Sequence, residues 1–176
     1  MARSTLDHPV LHWQIVSVGL GRALVAWSTQ GVCAVLLGDD DAAVLAELHQ
    51  AFPDRVLQHD ERPHPWVGAA QAELEGVRPH QAHRMRLPLD VGGTAFQQAV
   101  WSALRQIPTG QTVTYSELAQ QLGRPGAVRA VASACAANVL AVLIPCHRVV
   151  RRDGSPSGYR WGLARKQTLL AREVLR

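Results

Sequence analysis

The chain has 176 residues, 47% of them apolar and 18% charged, with a formal net charge of +4. That apolar share supports a real core and excludes a disordered chain, and the length allows one or two small domains. No apolar run approaches the roughly 20 residues that span a bilayer, and the N-terminal stretch Met-Ala-Arg-Ser-Thr-Leu-Asp has no hydrophobic signal region. The protein is therefore expected in the cytoplasm, with no membrane partner.

In chain order, residues 13–37 read as a three-stranded antiparallel meander, with strands at 13–18, 22–28 and 32–37. Gly19 to Gly21 and Thr29 to Gly31 supply the turns. Asp39, Asp40 and Asp41 open a helix that runs to Phe52, because acids suit the positive end of the helix dipole. A second helix is expected over 66–74, a polar loop over 77–84 and a short strand over 86–90. His80 and His83 have metal-ligand spacing but lie in that loop without convincing partners, so no metal is expected. Gly92 and Gly93 mark a boundary between a domain at 1–92 and another at 93–176.

The second half reads as helical. Thr94 with Gln97, and Thr114 with Glu117, have capping-box spacing. Phe96, Val100, Ala103, Leu104 and Ile107 fall on one face of the helix that Thr94 opens. Gly123 to Gly126 make a tight turn before a third helix at about 127–137, and a last helix covers 163–174. Short helix, glycine turn and helix form the helix-turn-helix pattern, although a plain helical hairpin packed in the core has the same signature. On the third helix Arg129, Ala132, Ser133, Ala136 and Ala137 are mostly small, which lets its outer face approach a groove closely. Residues 1–90 carry seven arginines against eleven acids, and residues 91–176 carry ten arginines and one lysine against three acids. The second half thus faces polyanions, and arginine favours phosphate through its planar fork.

Three cysteines, Cys33, Cys135 and Cys146, form no Cys-x-x-Cys pair, so neither a disulfide framework nor a structural zinc site is expected. Cys33 and Cys135 fit the common role of small buried hydrophobes. Cys146 stands apart in the run Ile144, Pro145, Cys146, His147, Arg148 and Val149. A thiol attacks only as thiolate, and a cationic or basic neighbour supplies that state. Side chains of adjacent residues diverge in an extended chain, so a water between Cys146 and His147 is one way to complete a relay. Orienting the imidazole would need a carboxylate, and residues 91–176 offer Glu117, Asp153 and Glu173. Glu117 is used in a cap, and Glu173 sits on a helix that could pack behind the site.

Together these stretches resemble the O6-alkylguanine-DNA alkyltransferase family. The likeness rests on Thr-Ala-Phe-Gln-Gln at 94–98, Val-Trp at 100–101, Val-Arg-Ala-Val-Ala-Ser-Ala-Cys-Ala-Ala-Asn at 128–138, Ile-Pro-Cys-His-Arg-Val-Val at 144–150 and Ser-Gly-Tyr-Arg-Trp-Gly at 157–162. It implies an α+β fold: a small N-terminal domain with a three-stranded antiparallel sheet and helices, then a mostly helical, winged-helix-like catalytic domain. It implies repair of double-stranded DNA by one irreversible transfer of an alkyl group, chiefly methyl, from O6 of guanine, and also from O4 of thymine, to Cys146. The damaged base would be flipped out of the duplex. His147, through water and backed by Glu173, would take the thiol proton. Arg129 would fill the gap in the stack and Tyr115 would rotate the nucleotide. Ala132 and Ser133 would face the minor groove, and Asn138 would join the recognition helix to the active-site segment. Arg148 would be among the DNA-binding groups, and the backbone near Val149 and Tyr159 would hold the base edge. Trp161 would narrow the pocket and favour methyl over benzyl groups. No cofactor is implied, and nothing demands more than a monomer. Because the chain begins without the cysteine-rich metal domain of the adaptive-response relatives, phosphotriester repair and transcriptional activation are not expected. Two other classes remain open on the residues alone: a DNA-binding protein without chemistry, and a Cys-His hydrolase or redox sensor.

Overall fold

The computed structural model describes residues 10–76 and 87–174. The expectations for the N-terminal stretch and for the 77–84 loop with His80 and His83 fall outside them. The chain parts into two compact units, residues 1–91 and 92–176.

In the first unit, β1 (Leu11–Val18), β2 (Gly21–Trp27) and β3 (Val32–Gly38) form the expected antiparallel meander. The β1–β2 hairpin closes at Val18 opposite Gly21, where a φ of 113° requires glycine. β3 is buried along its whole length and most of β2 is buried. The helices α1 (Asp41–Ala51) and α2 (Pro65–Glu75) pack on these strands, α1 on β2 and β3, α2 on β1 and β2. A covered strand needs no polar face, which is why Val32 to Leu37 is a continuous apolar run. Asp40 caps α1 by accepting from the Ala43 amide at 2.8 Å. His64 does the same for α2, with Nδ1 accepting from the Trp66 amide at 3.2 Å.

The sheet has four strands, not three. β4 (Leu57–His59) adds beside β1 in parallel, giving the order β3-β2-β1-β4. Three residues cannot display an alternating pattern, so this strand left no periodic signal. The strand expected over 86–90 reduces to a bridge from Leu89 to Val32 among the described residues.

In the second unit, α3 (Ala95–Leu104) and α4 (Tyr115–Gln121) both start with complete capping boxes, Thr94 with Gln97 and Thr114 with Glu117. Each box satisfies amides that a helix start leaves orphaned. α3 buries Val100, Trp101 and Leu104. Trp101 was not among the residues read for that face; its indole Nε1 donates to the Ala134 carbonyl at 2.8 Å, which ties α3 to α5 (Val128–Ala136). Gly123, with φ 67°, ends the chain's passage out of α4 in the left-handed region. α3 and α4 both pack on α5. Two further short strands, β5 (Val113–Thr114) and β6 (Val149–Val150), pair in parallel and escaped the sequence reading for the same reason as β4. α6 (Leu163–Val174) has the bounds the sequence predicted.

Candidate active site

The segment after α5 is held by one side chain. Asn138 is 1% exposed; its Nδ2 donates to the Ile144 carbonyl at 2.9 Å and to Cys146 Sγ at 3.2 Å, and its Oδ1 accepts from the Leu140 amide at 2.9 Å. Within this loop Val142 has φ 67°, the one positive φ at a non-glycine among the described residues. A β-branched residue there is strained and persists only where its surroundings over-determine the backbone. The three bonds of Asn138 do that from both ends of the loop.

Pro145 leads into a single 3-10 turn, Cys146–Arg148. The turn, rather than an extended chain, sets the directions of the three side chains. The Cys146 thiol lines a cavity of about 540 Å³ together with Tyr115, Ala132, Ser157 and Tyr159. Burial pushes its pKa up, while the Asn138 amide, Lys166 and Arg160 pull it down. His147 is fully buried, and its Nε2 lies 2.8 Å from Glu173 Oε1 on α6. Its Nδ1 has no hydrogen-bond partner among the described residues. Burial lowers the imidazole pKa and Glu173 opposes that shift, so the ring is neutral at neutral pH and able to accept a proton. Burial alone would raise the Glu173 carboxyl; bonds to His147 and Arg148 overcome it and hold the pKa at about 2.

Arg148 has partners within the protein. Its guanidinium binds Glu173 twice, Nε to Oε2 at 2.9 Å and Nη2 to Oε1 at 2.8 Å, and it reaches the Ile107 carbonyl at 2.6 Å and Thr109 Oγ1 at 3.2 Å. An arginine so occupied braces α6 and the 107–109 turn. Trp161 is 4% exposed and packs edge-on, at 5.2 Å, against Tyr159, which lines the cavity. Val149 is buried in β6, and its carbonyl accepts from Lys166 Nζ at 2.6 Å.

The remaining expected residues fall into two groups. Tyr115, at the start of α4, bonds Ser157 Oγ through its hydroxyl at 2.6 Å on the cavity wall. Arg129 and Ser133 are exposed on α5, while Ala132 on the same helix lines the cavity. α5 thus offers small side chains to the cavity on one side and an arginine to solvent on another.

Sequence reasoning missed Lys166. It is fully buried, with Nζ on the carbonyls of Val149 and Ser157, the latter at 3.1 Å. Burial lowers its pKa, and the thiols of Cys146 and Cys135 oppose the shift. Its one available signal was composition: it is the chain's single lysine among many arginines. Among the described residues no group of three or more metal-ligating side chains occurs, and no helix is long and apolar enough to cross a membrane.

Comparison with known proteins identifies residues 95–175 with the family model described as 6-O-methylguanine DNA methyltransferase, DNA binding domain. The chain is 51% identical to the Escherichia coli bifunctional transcriptional activator/DNA repair enzyme Ada, over 96% of this chain and 47% of that protein. It therefore spans about half the length of that relative. It is 35% identical to the inducible methylated-DNA–protein-cysteine methyltransferase of Bacillus subtilis, over 93% of this chain and 90% of the relative. A crystal structure of Mycobacterium tuberculosis OGT in complex with DNA superposes with a TM-score of 0.74 at 30% identity, covering 93% of each chain.

Proposed function

The chain belongs to the O6-alkylguanine-DNA alkyltransferase family, and from that premise we propose that it repairs duplex DNA by moving an alkyl group from O6 of guanine to its own Cys146. The observation that carries the proposal is the pairing of two arrangements on one turn. Cys146 opens to a cavity of about 540 Å³, and the next residue, His147, is locked to Glu173 at 2.8 Å.

The chemistry follows from these positions. A buried thiol with a raised pKa does not ionise unaided, so it needs a base at the moment of attack. His147 is neutral, and Glu173 stabilises the imidazolium once a proton arrives. The proton travels through water to Nδ1, the ring nitrogen that Glu173 leaves unoccupied. The thiolate attacks the alkyl carbon, an S–C bond forms, the C–O6 bond breaks, and its electron pair stays on the guanine. The proton returns to guanine N1, restoring the normal base. Lys166 and the Asn138 amide favour the thiolate from the protein side. The product is a thioether, whose S–C bond does not break under these conditions, so each molecule reacts once.

Before that step the base must leave the stack. α5 serves as the recognition helix, with Ala132 and Ser133 at the minor groove and Arg129 in the gap left by the flipped nucleotide. Tyr115 guides the rotation, and Tyr159 closes on the base edge. Methyl is the preferred group, O4-alkylthymine is a second substrate, and the acting species is a monomer.

Intact-protein and peptide mass spectrometry after mixing with a duplex containing O6-methylguanine tests this. One methyl group per chain on the Cys146 peptide is the expected result. An unmodified chain that still binds the duplex would favour a damage-binding protein without chemistry, and release of product in excess of protein would favour a hydrolase.

A further inference from the structure

Two tyrosines line the cavity of the acceptor thiol, and their hydroxyls are held differently. The Tyr159 hydroxyl has no hydrogen-bond partner among the described residues. The Tyr115 hydroxyl lies 2.6 Å from Ser157 Oγ. Ser157 is itself buried and lines the same cavity. Its backbone is fixed independently of that bond, because its carbonyl accepts from Lys166 Nζ at 3.1 Å. The same ammonium holds the Val149 carbonyl at 2.6 Å, so one buried cation on α6 ties both ends of the 149–157 segment. Tyr115 is the first residue of α4, directly after the Thr114 cap, and Thr114 pairs with Val150 in the β5–β6 ladder. The hydroxyl bond therefore joins two pieces of backbone that are each already anchored.

A phenol at the start of a helix can turn between rotamers unless its tip is held. Ordering a side chain costs entropy, and a tip already fixed in the free protein leaves less of that cost to the moment of binding. We propose that Ser157 is a positioning residue for alkyl transfer: its hydroxyl fixes the Tyr115 phenol at the cavity wall, so that the tyrosine meets the flipped nucleotide already oriented. The proposal rests on the alkyl-transfer reading of Cys146. Burial raises the Tyr115 pKa, so the phenol keeps its proton at neutral pH. A hydroxyl offers one donor and two acceptor sites. Whichever of the two oxygens donates, the pair uses one proton between them and keeps the other for an acceptor atom of the nucleotide. A serine serves here because it can give or take that shared proton, which an alanine cannot do.

A plainer role for Ser157 is to fill the cavity wall and satisfy a half-buried phenol. That role affects stability and gives the serine no dependence on Tyr115 during transfer, which separates the ideas. Single-turnover methyl transfer from a duplex containing O6-methylguanine is measured for the parent, Ser157→Ala, Ser157→Thr, Tyr115→Phe and the double variant carrying both Ser157→Ala and Tyr115→Phe. Thermal unfolding of each puts the rates on a per-folded-molecule basis. Ser157→Ala is expected to slow transfer at saturating duplex roughly three- to tenfold, the scale of one hydrogen bond between neutral groups. Ser157→Thr, which keeps the hydroxyl, should recover most of that rate. In the Tyr115→Phe background, Ser157→Ala should bring no further slowing, because the bond it removes is already gone. An unchanged rate in Ser157→Ala, the same slowing with and without the Tyr115 hydroxyl, or a Ser157→Thr as slow as Ser157→Ala would each overturn the role of Ser157. A parent that transfers no methyl would defeat the alkyl-transfer reading itself.

Discussion

The sheet unit and the helical unit bury different kinds of residue. In the first, β2, β3, α1 and α2 enclose Ala23, Leu24, Val25, Leu36, Val44, Leu48 and Leu74, and Ser28 is the buried polar side chain among the described residues. In the second, Asn138, His147, Ser157 and Lys166 are all buried. Buried apolar groups stabilise by leaving water, whatever their exact partners. Buried polar and charged groups are tolerable only when each is paired. The first unit can therefore be changed with a cost in stability alone. In the second, the bonds that make burial tolerable are the bonds that position the reacting groups, so stability and chemistry should fail together.

The largest effect expected is from Cys146→Ala, which removes the acceptor. Transfer should vanish while binding to the alkylated duplex persists, read by mass spectrometry and by a mobility shift. Next is Glu173→Gln. It leaves His147 without its anion and the half-buried Arg148 without its counter-charge, so unfolding free energy should fall by about 3 kcal/mol and transfer by roughly 10²–10⁴. This variant also carries a pH signature. The Glu173 carboxyl sits at about 2 against an ordinary 4.5, so it binds a proton less readily folded than unfolded. Its contribution is present above about pH 4.5 and is lost as the pH falls toward 2. The parent should show that slope in denaturant titrations, and Glu173→Gln should not.

Leu36→Ala, in fully buried β3, tests the other side of the comparison. It should cost about 2–5 kcal/mol and leave the transfer rate per folded molecule unchanged. A matching drop in rate would break the distinction between the units. Lys166→Met keeps the apolar stem but removes the donor to two buried carbonyls. A cost of about 1–3 kcal/mol is expected, with slower transfer whose pH profile moves upward because a cation that favours the thiolate is gone. Thr114→Ala should have the smallest effect, about 0.5–2 kcal/mol from a lost helix cap, read by thermal unfolding.

Much of this architecture was legible in the sequence because it is local. Thr94 with Gln97 and Thr114 with Glu117 act across one helical turn, so their spacing alone reports the bond. The meander is legible because β-branched and apolar runs alternate with glycine turns. β4, β5 and β6 were not, since two or three residues carry no period. At the site, Cys146 and His147 stood out through their chemistry and their adjacency. The bracing contacts of Arg148 were not legible, because next to a nucleophile a cation looks like part of the binding surface. Its true partner, Glu173, lies 25 residues on.

By itself the sequence determined where the capped helices begin, most of the apolar face of α3, where the positive charge gathers and which cysteine has a histidine and an arginine beside it. These depend on residues within one or two turns of each other, where the chain's own geometry brings them together. Only the tertiary structure decided which of three acids meets His147, that Arg148 braces α6 and the 107–109 turn, that Lys166 lies buried on the carbonyls of Val149 and Ser157, and that Arg160 reaches from the cavity wall to the end of α5. Each of those contacts joins segments well apart in the chain, and no local pattern encodes a partner that only packing brings near.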